Sequence, residues 1–163
     1  MHNDEDGTLG VVWLALDDRS SVVHCYDAAI FRLEVFAVIA DSIAARGRWI
    51  PLAWRKDDEA FANKLQDAKI NVLPEPSVDK PQVAEVVSRD IWLRMRGNRF
   101  KVEQSVYSWL EEYKVYYRDE SKVPKKGFPL MAATRHAMDQ LPYAKAQALP
   151  GSKKPNFPKV AIL

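Results

Sequence analysis

The chain has 163 residues, 47% of them hydrophobic and 28% charged, which suits one folded domain with a normal core and excludes a disordered chain. Its single cysteine, Cys25, excludes an internal disulfide framework and points to a reducing, cytoplasmic setting. The acidic start Asp4-Glu5-Asp6 is unlike a signal peptide, and no run reaches the roughly 18 apolar residues of a membrane span, so no membrane partner is expected.

In chain order, residues 1–8 read as a flexible acidic N-terminus. Leu9–Leu16 and Ser21–Tyr26 are apolar and β-rich, and Asp17-Asp18-Arg19-Ser20 between them reads as a turn. An antiparallel hairpin is expected. Its first strand is apolar throughout, which implies burial on both faces. Cys25 then reads as a small core residue. A helix is expected from about Arg32 to Arg46, with Leu33, Phe36, Val38, Ile39 and Ile43 on its apolar face and Gly47 at its C-terminus. Trp49–Trp54 reads as a short strand, irregular at Pro51, residues 58–68 as a helix, and Ile70–Leu73 as a further strand. That alternation favours a parallel section.

Pro74-Glu75-Pro76 breaks the chain. Val83, Val86, Val87 and Ile91 recur at helical spacing, so a helix is expected over about Lys80–Met95, ended by Gly97-Asn98. Arg99–Val102 reads as a short strand. A helix over about Gln104–Lys114 carries Val106, Trp109, Leu110 and Tyr113 on one face. A polar hairpin-like segment follows from Tyr116 to Lys122, then a last helix from about Leu130 to Leu141. The domain is expected to span residues 9–141, and residues 142–163 read as a basic, proline-containing arm.

Net charge is only +2, but the charge is segregated. Five basic residues and one acid lie between Arg89 and Lys101, and four lysines and no acid follow Leu141. Arg94, Arg96, Arg99, Lys101, Arg118, Lys122, Lys125 and Lys126 are candidate phosphate contacts to double-stranded DNA, sequence-independent and salt-sensitive. The plain alternative is solvated surface. Tyr116 and Tyr117 are candidates for base stacking or for ordinary packing. His24 and His136 lie far apart without ligand-like spacing and read as structural or exposed.

An ordered set of segments resembles the C-terminal nuclease domain of phage terminase large subunits. They are Asp6–Ala15, Trp49–Asp57, Asn71–Pro76, Arg94–Val102, Trp109–Tyr113 with Tyr116–Arg118, and Leu130–Ala137. The resemblance covers residues 6–141 and implies an α/β, ribonuclease-H-like fold: a mixed sheet flanked by helices, opening with an antiparallel hairpin. It implies a two-metal DNA endonuclease using Mg²⁺ or Mn²⁺, with phage packaging proteins as partners.

Such a centre needs several carboxylates, because these hard cations take oxygen ligands. The family draws them from three places. The middle one is present as Asp57, flanked by Asp58 and Glu59. At the first, the aligned aspartate falls at His2, leaving Asp4 and Asp6 as weak substitutes. At the third, the acidic pair is replaced by Phe128-Pro129. Asp57 has a simpler reading as a helix-start acid. The sequence contains no Gly-x-x-x-x-Gly-Lys-[Ser/Thr] loop, so no nucleotide cofactor is expected. The expected function is a terminase-like nuclease domain with lost or weakened catalysis. The alternative is a non-catalytic module that binds DNA or terminase partners.

Overall fold

The structure, a computed structural model, describes residues 2–3, 7–32, 35–77, 80–116 and 127–144. A four-stranded mixed sheet runs in the order β1 (His2–Asn3), β2 (Thr8–Asp17), β3 (Val22–Arg32), β4 (Phe100–Val102). The first three strands are antiparallel, and β4 pairs with β3 in parallel. Five helices flank the sheet: α1 (Phe36–Gly47), α2 (Glu59–Asp67), α3 (Pro81–Arg96), α4 (Tyr107–Tyr116) and α5 (Pro129–Asp139).

The β2–β3 hairpin closes where the sequence places its turn. Asp17 accepts hydrogen bonds from the Ser20 hydroxyl (2.5 Å) and the Arg19 amide (3.0 Å), and these bonds, Ser20's first, lower its pKa. Leu9, Val11, Val12, Trp13 and Leu14 are all buried, as an apolar strand between two layers must be. Their side chains divide between two cores. Val12 and Leu14 join Val23, Cys25, Phe100, Trp109 and the α5 residues Leu130, Ala133 and Ala137. Leu9, Val11 and Trp13 join Phe31, Ile39, Ile43, Leu52, Trp54 and Leu65 under α1 and α2.

Several expected boundaries move. β3 continues to Arg32, so α1 begins at Phe36 rather than near Arg32, and Val38 on its expected apolar face is 54% exposed. Hairpin pairing with β2 carries β3 through residues whose local pattern is ambiguous. Trp49–Trp54 and Ile70–Leu73 form no regular strands. They meet at one isolated parallel bridge, Leu52 with Val72, and a second, Arg55 with Ser77, lies beyond both segments. Pro51, which has no amide hydrogen to donate, stands inside the first segment, just before Leu52.

α3 follows its expected span, but Val86 faces outward (68% exposed) while Ser88 and Ile91 are buried. Tyr116, expected to open a hairpin, is the buried last residue of α4, and residues 117–122 lie outside those described. Pro142 sits in a 3-10 turn, Leu141–Tyr143, that continues from α5, and the arm beyond residue 144 lies outside the described residues. His2 and Asn3, expected in a loose terminus, pair with Gly10 and Leu9.

α5 is the centrepiece. Every residue from Pro129 to Met138 is buried, including Thr134, Arg135 and His136. A helix covered on all sides belongs to the interior of a core. Its first turn approaches β2 closely enough that a Cβ on Gly10 would lie 2.4 Å from the Pro129 carbonyl carbon and oxygen, so only glycine fits there. At the other glycine that matters, Gly47 ends α1 with φ +135°, and a Cβ would fall 2.7 Å from the Trp49 indole nitrogen.

Candidate metal centre and nucleic-acid interface

Asp57 lies on the single 3-10 turn Lys56–Asp58 that leads into α2. Its side chain is 76% exposed and stands 3.6 Å from Arg55 Nε. Asp58, beside it, points inward: its side chain is 4% exposed and lies 3.8 Å from Arg55 Nη2. One guanidinium therefore faces both carboxylates at the middle acidic site, and both aspartates sit in the first turn of the helix start, where the backbone dipole favours them.

Before α5, where the resemblance led us to expect acids, Phe128 and Pro129 are used for packing. Phe128 precedes α5 and meets Tyr116 edge to face, ring centroids 5.3 Å apart. Pro129 opens the helix, where its missing amide hydrogen costs nothing, and packs on Gly10. A carboxylate does reach this helix start, but from α4: Glu112 Oε1 accepts the Met131 amide hydrogen at 2.7 Å. Asp4 and Asp6 lie outside the described residues. Among the described residues, no group of three or more histidine, cysteine, aspartate or glutamate side chains is placed to hold a metal ion. A two-metal centre needs several oxygen donors converging on ions about 4 Å apart, and these residues do not fit that requirement.

Arg94, Arg96, Arg99 and Lys101 follow one another across the end of α3, the Gly97-Asn98 turn and β4. Asn98 adopts φ 54°, a left-handed conformation that asparagine tolerates, and this reverses the chain into β4. Phe100 turns into the core while Lys101 faces out. Arg94 is partly occupied by Asp90, 2.6 Å away one helical turn earlier. Arg96 lies over the half-exposed Trp92 ring at 4.8 Å, which fixes its guanidinium plane. Arg96, Arg99 and Lys101 are exposed. Arg118, Lys122, Lys125 and Lys126 lie outside the described residues.

Sequence reasoning overlooked a buried polar group centred on α5. The Ser77 hydroxyl lies 2.5 Å from His136 Nδ1 and 3.2 Å from the Trp54 carbonyl oxygen, which joins α5 to the Arg55–Ser77 bridge. Arg135 Nη1 donates to the Tyr116 hydroxyl at 2.8 Å. Trp109 Nε1 donates to Thr134 Oγ1 at 2.9 Å, and Thr134 donates in turn to the Leu130 carbonyl. A run of Thr-Arg-His at consecutive helix positions ordinarily marks a partly exposed helix, so the sequence carried no signal for its burial. Burial also pushes the Cys25 thiol up to about 12, consistent with a core residue and not a nucleophile.

No family model and no curated protein matches the chain. Among solved structures, the P22 large terminase nuclease domain matches with a TM-score of 0.70, over 87% of this chain and 86% of that one, at 19% identity. The chain has the terminase nuclease fold. Within that fold, of ribonuclease-H-like kind, the sequence resemblance sought carboxylates at three places: His2 in β1, the Asp57 turn and the start of α5. Asp57 is the acid present at the second of these, while His2 and Phe128-Pro129 stand at the other two. No helix among the described residues is long and apolar enough to cross a membrane.

Proposed function

We propose that this chain is a terminase-type nuclease domain that engages double-stranded DNA of a phage packaging system but has lost or weakened two-metal cleavage. The observation that carries the reading is the combination at α5. The terminase nuclease fold is kept, while an aromatic–proline pair packed on Tyr116 and Gly10 stands where the sequence resemblance calls for acids. Asp57, exposed and facing Arg55, is a single oxygen source. When bound, Mg²⁺ or Mn²⁺ would supply an activated water and charge neutralisation. Asp57 is the described residue that would contribute to holding it.

The DNA-binding half of the reading is supported by the exposed run Arg96, Arg99 and Lys101, which offers phosphate contacts without base reading. A second reading, docking of a packaging partner, is favoured by the exposed Val86, Trp92 and Leu93 on the neighbouring face of α3.

The test is plasmid nicking in Mn²⁺, with Asp57→Ala and Pro129→Asp variants, beside DNA binding measured across a salt series. The expected result is no nicking above that of Asp57→Ala. DNA binding should weaken with salt, and replacing Arg96, Arg99 and Lys101 by alanine should reduce the salt slope by about one for each phosphate no longer neutralised. Robust Mn²⁺-dependent nicking that Asp57→Ala abolishes would overturn the loss of catalysis. Absence of DNA binding would overturn the DNA-binding half and leave the partner-docking reading.

A further inference from the structure

Arginine is rarely buried without an acid beside it, because its guanidinium keeps its charge at any ordinary pH and a buried charge needs a counter-charge. Arg135 in α5 departs from this pattern. It is 8% exposed, and its Nε is buried without a hydrogen-bond partner. Its Nη1 donates to the Tyr116 hydroxyl at 2.8 Å, and that acceptor carries no charge. Among the described residues no carboxylate forms an ion pair with this guanidinium. Glu112, one turn before Tyr116 on α4, is turned instead to the Met131 amide, one turn before Arg135 on α5. Asp139, one turn after Arg135, makes no such pair either.

Arg135 borders a small cavity between α3, α4 and α5. Ser88 from α3, Trp109 and Tyr116 from α4, and Thr134 from α5 line it with Arg135, and no lining side chain is acidic. The Ser88 and Tyr116 hydroxyl oxygens lie 3.5 Å apart. Tyr116 accepts from Arg135, and a hydroxyl that accepts one bond can turn its own proton toward a second acceptor. Thr134 is already committed, accepting from Trp109 and donating to the Leu130 carbonyl. The cavity offers about 10 Å³ to the centre of a water-sized group, which is room for one.

We propose that this cavity is an anion site that takes a single small halide ion, chloride, held by Arg135 together with the hydroxyls of Tyr116 and Ser88. Charge sets the class of ligand. A water molecule fills the space but leaves the guanidinium unopposed, whereas an anion supplies the counter-charge that the described residues do not. Size sets the member of the class. Phosphate, sulfate and carboxylate each need room for several heavy atoms, and this cavity has room for one. Ile91 and Met131 complete the wall and keep further water out, so the attraction between ion and guanidinium is little screened. The small exposed part of Arg135 gives the ion a way in. An ion held here joins α3, α4 and α5, and it steadies the Tyr116 ring on which Phe128 packs before α5. The packing of α5 is thereby tied to chloride concentration, whether or not the domain cuts or binds DNA.

The experiment is urea unfolding of the full chain at fixed ionic strength, with sodium gluconate replaced stepwise by sodium chloride. Gluconate is too large for the cavity, and fixed ionic strength holds general screening constant. Raising chloride from about 10 to about 100 mM should lower the unfolding constant by up to about tenfold, the limit for one site filled in the folded state alone. Arg135→Met keeps an unbranched side chain and removes the charge, and its unfolding constant should be the same in both salts. Anomalous scattering at long wavelength from crystals of the unaltered chain grown in chloride locates the ion even if that variant fails to fold. A peak is expected beside Arg135, Tyr116 and Ser88. Equal unfolding constants for the unaltered chain in the two salts would overturn the proposal. So would a chloride dependence that Arg135→Met retains, or the absence of a chloride peak in this cavity.

Discussion

Replacing Gly10 by alanine tests whether the contact between β2 and α5 organises the domain. In an open strand the change would raise stability by about 0.4–1 kcal/mol, because alanine restricts the unfolded chain. Here the new methyl would lie 2.4 Å from both the carbonyl carbon and the carbonyl oxygen of Pro129. Carbon contacts relax at about 3.5 Å, so α5 must withdraw from the sheet by about 1 Å. Overpacking of that kind costs about 1–3 kcal/mol, and α5 is buried along its length, so the upper half of the range applies. For a chain of this size each kcal/mol moves the melting temperature by about 2–4 °C, giving an expected fall of roughly 4–12 °C. Thermal unfolding followed by circular dichroism measures it. Because the clash is with the backbone, adding Pro129→Ala should not restore the stability. A Gly10→Ala variant that melts at or above the parent's temperature would refute the close approach.

Three further outcomes follow from the same packing. Cys25 has a folded pKa of about 12 against 9.0 in the unfolded chain, so the unfolded state releases its proton first. Stability should therefore fall as pH rises above about 9, by up to about 1.4 kcal/mol per pH unit. Native-state thiol labelling at pH 8 should be as slow as global unfolding, and prompt labelling would contradict the burial. Ser77→Ala leaves His136 Nδ1 facing a methyl group in the interior, and chemical denaturation should show a loss of about 1–3 kcal/mol. Arg46, itself partly exposed, bonds the partly exposed Asp27 at 2.5 Å and lies 4.2 Å over the buried Trp13 ring. Arg46→Ala should cost about 1 kcal/mol, and the Asp27→Ala double-mutant cycle should recover only part of it, the remainder being the contact with the ring.

The legible parts of this fold are those whose local pattern and tertiary role agree. The β2 run is apolar at every position because it has core on both sides, and the Asp17–Ser20 turn closes through its own side chains. The ends of α3 and the start of α5 fall near the expected residues, because Pro81, Gly97 and Pro129 signal them locally, whereas α4, with neither proline nor glycine at its ends, begins at Tyr107 and not near Gln104. The rest depends on partners distant in sequence. β3 outruns its apolar stretch because β2 is there to pair with it. Leu52 and Val72 look like two strands in sequence, yet meet at a single bridge. At the candidate site, Asp57 was legible as an acid after a Trp-Ile-Pro segment, and Phe128-Pro129 as its missing counterpart. Arg55 facing Asp57 and Asp58 is a local contact, two and three residues apart, whereas Glu112 reaching the start of α5 arises from a chain crossing that no spacing rule anticipates.

The burial of α5 has a consequence for synthesis. The hairpin, α1, α3 and α4 all leave the ribosome before Pro129, yet one of the two cores counts Leu130, Met131, Ala133, Ala137 and Met138 among its members. Until those residues emerge, the nascent chain holds a sheet with one apolar face uncovered. Premature termination anywhere ahead of α5 would then yield a sticky, protease-sensitive product, not a smaller stable domain.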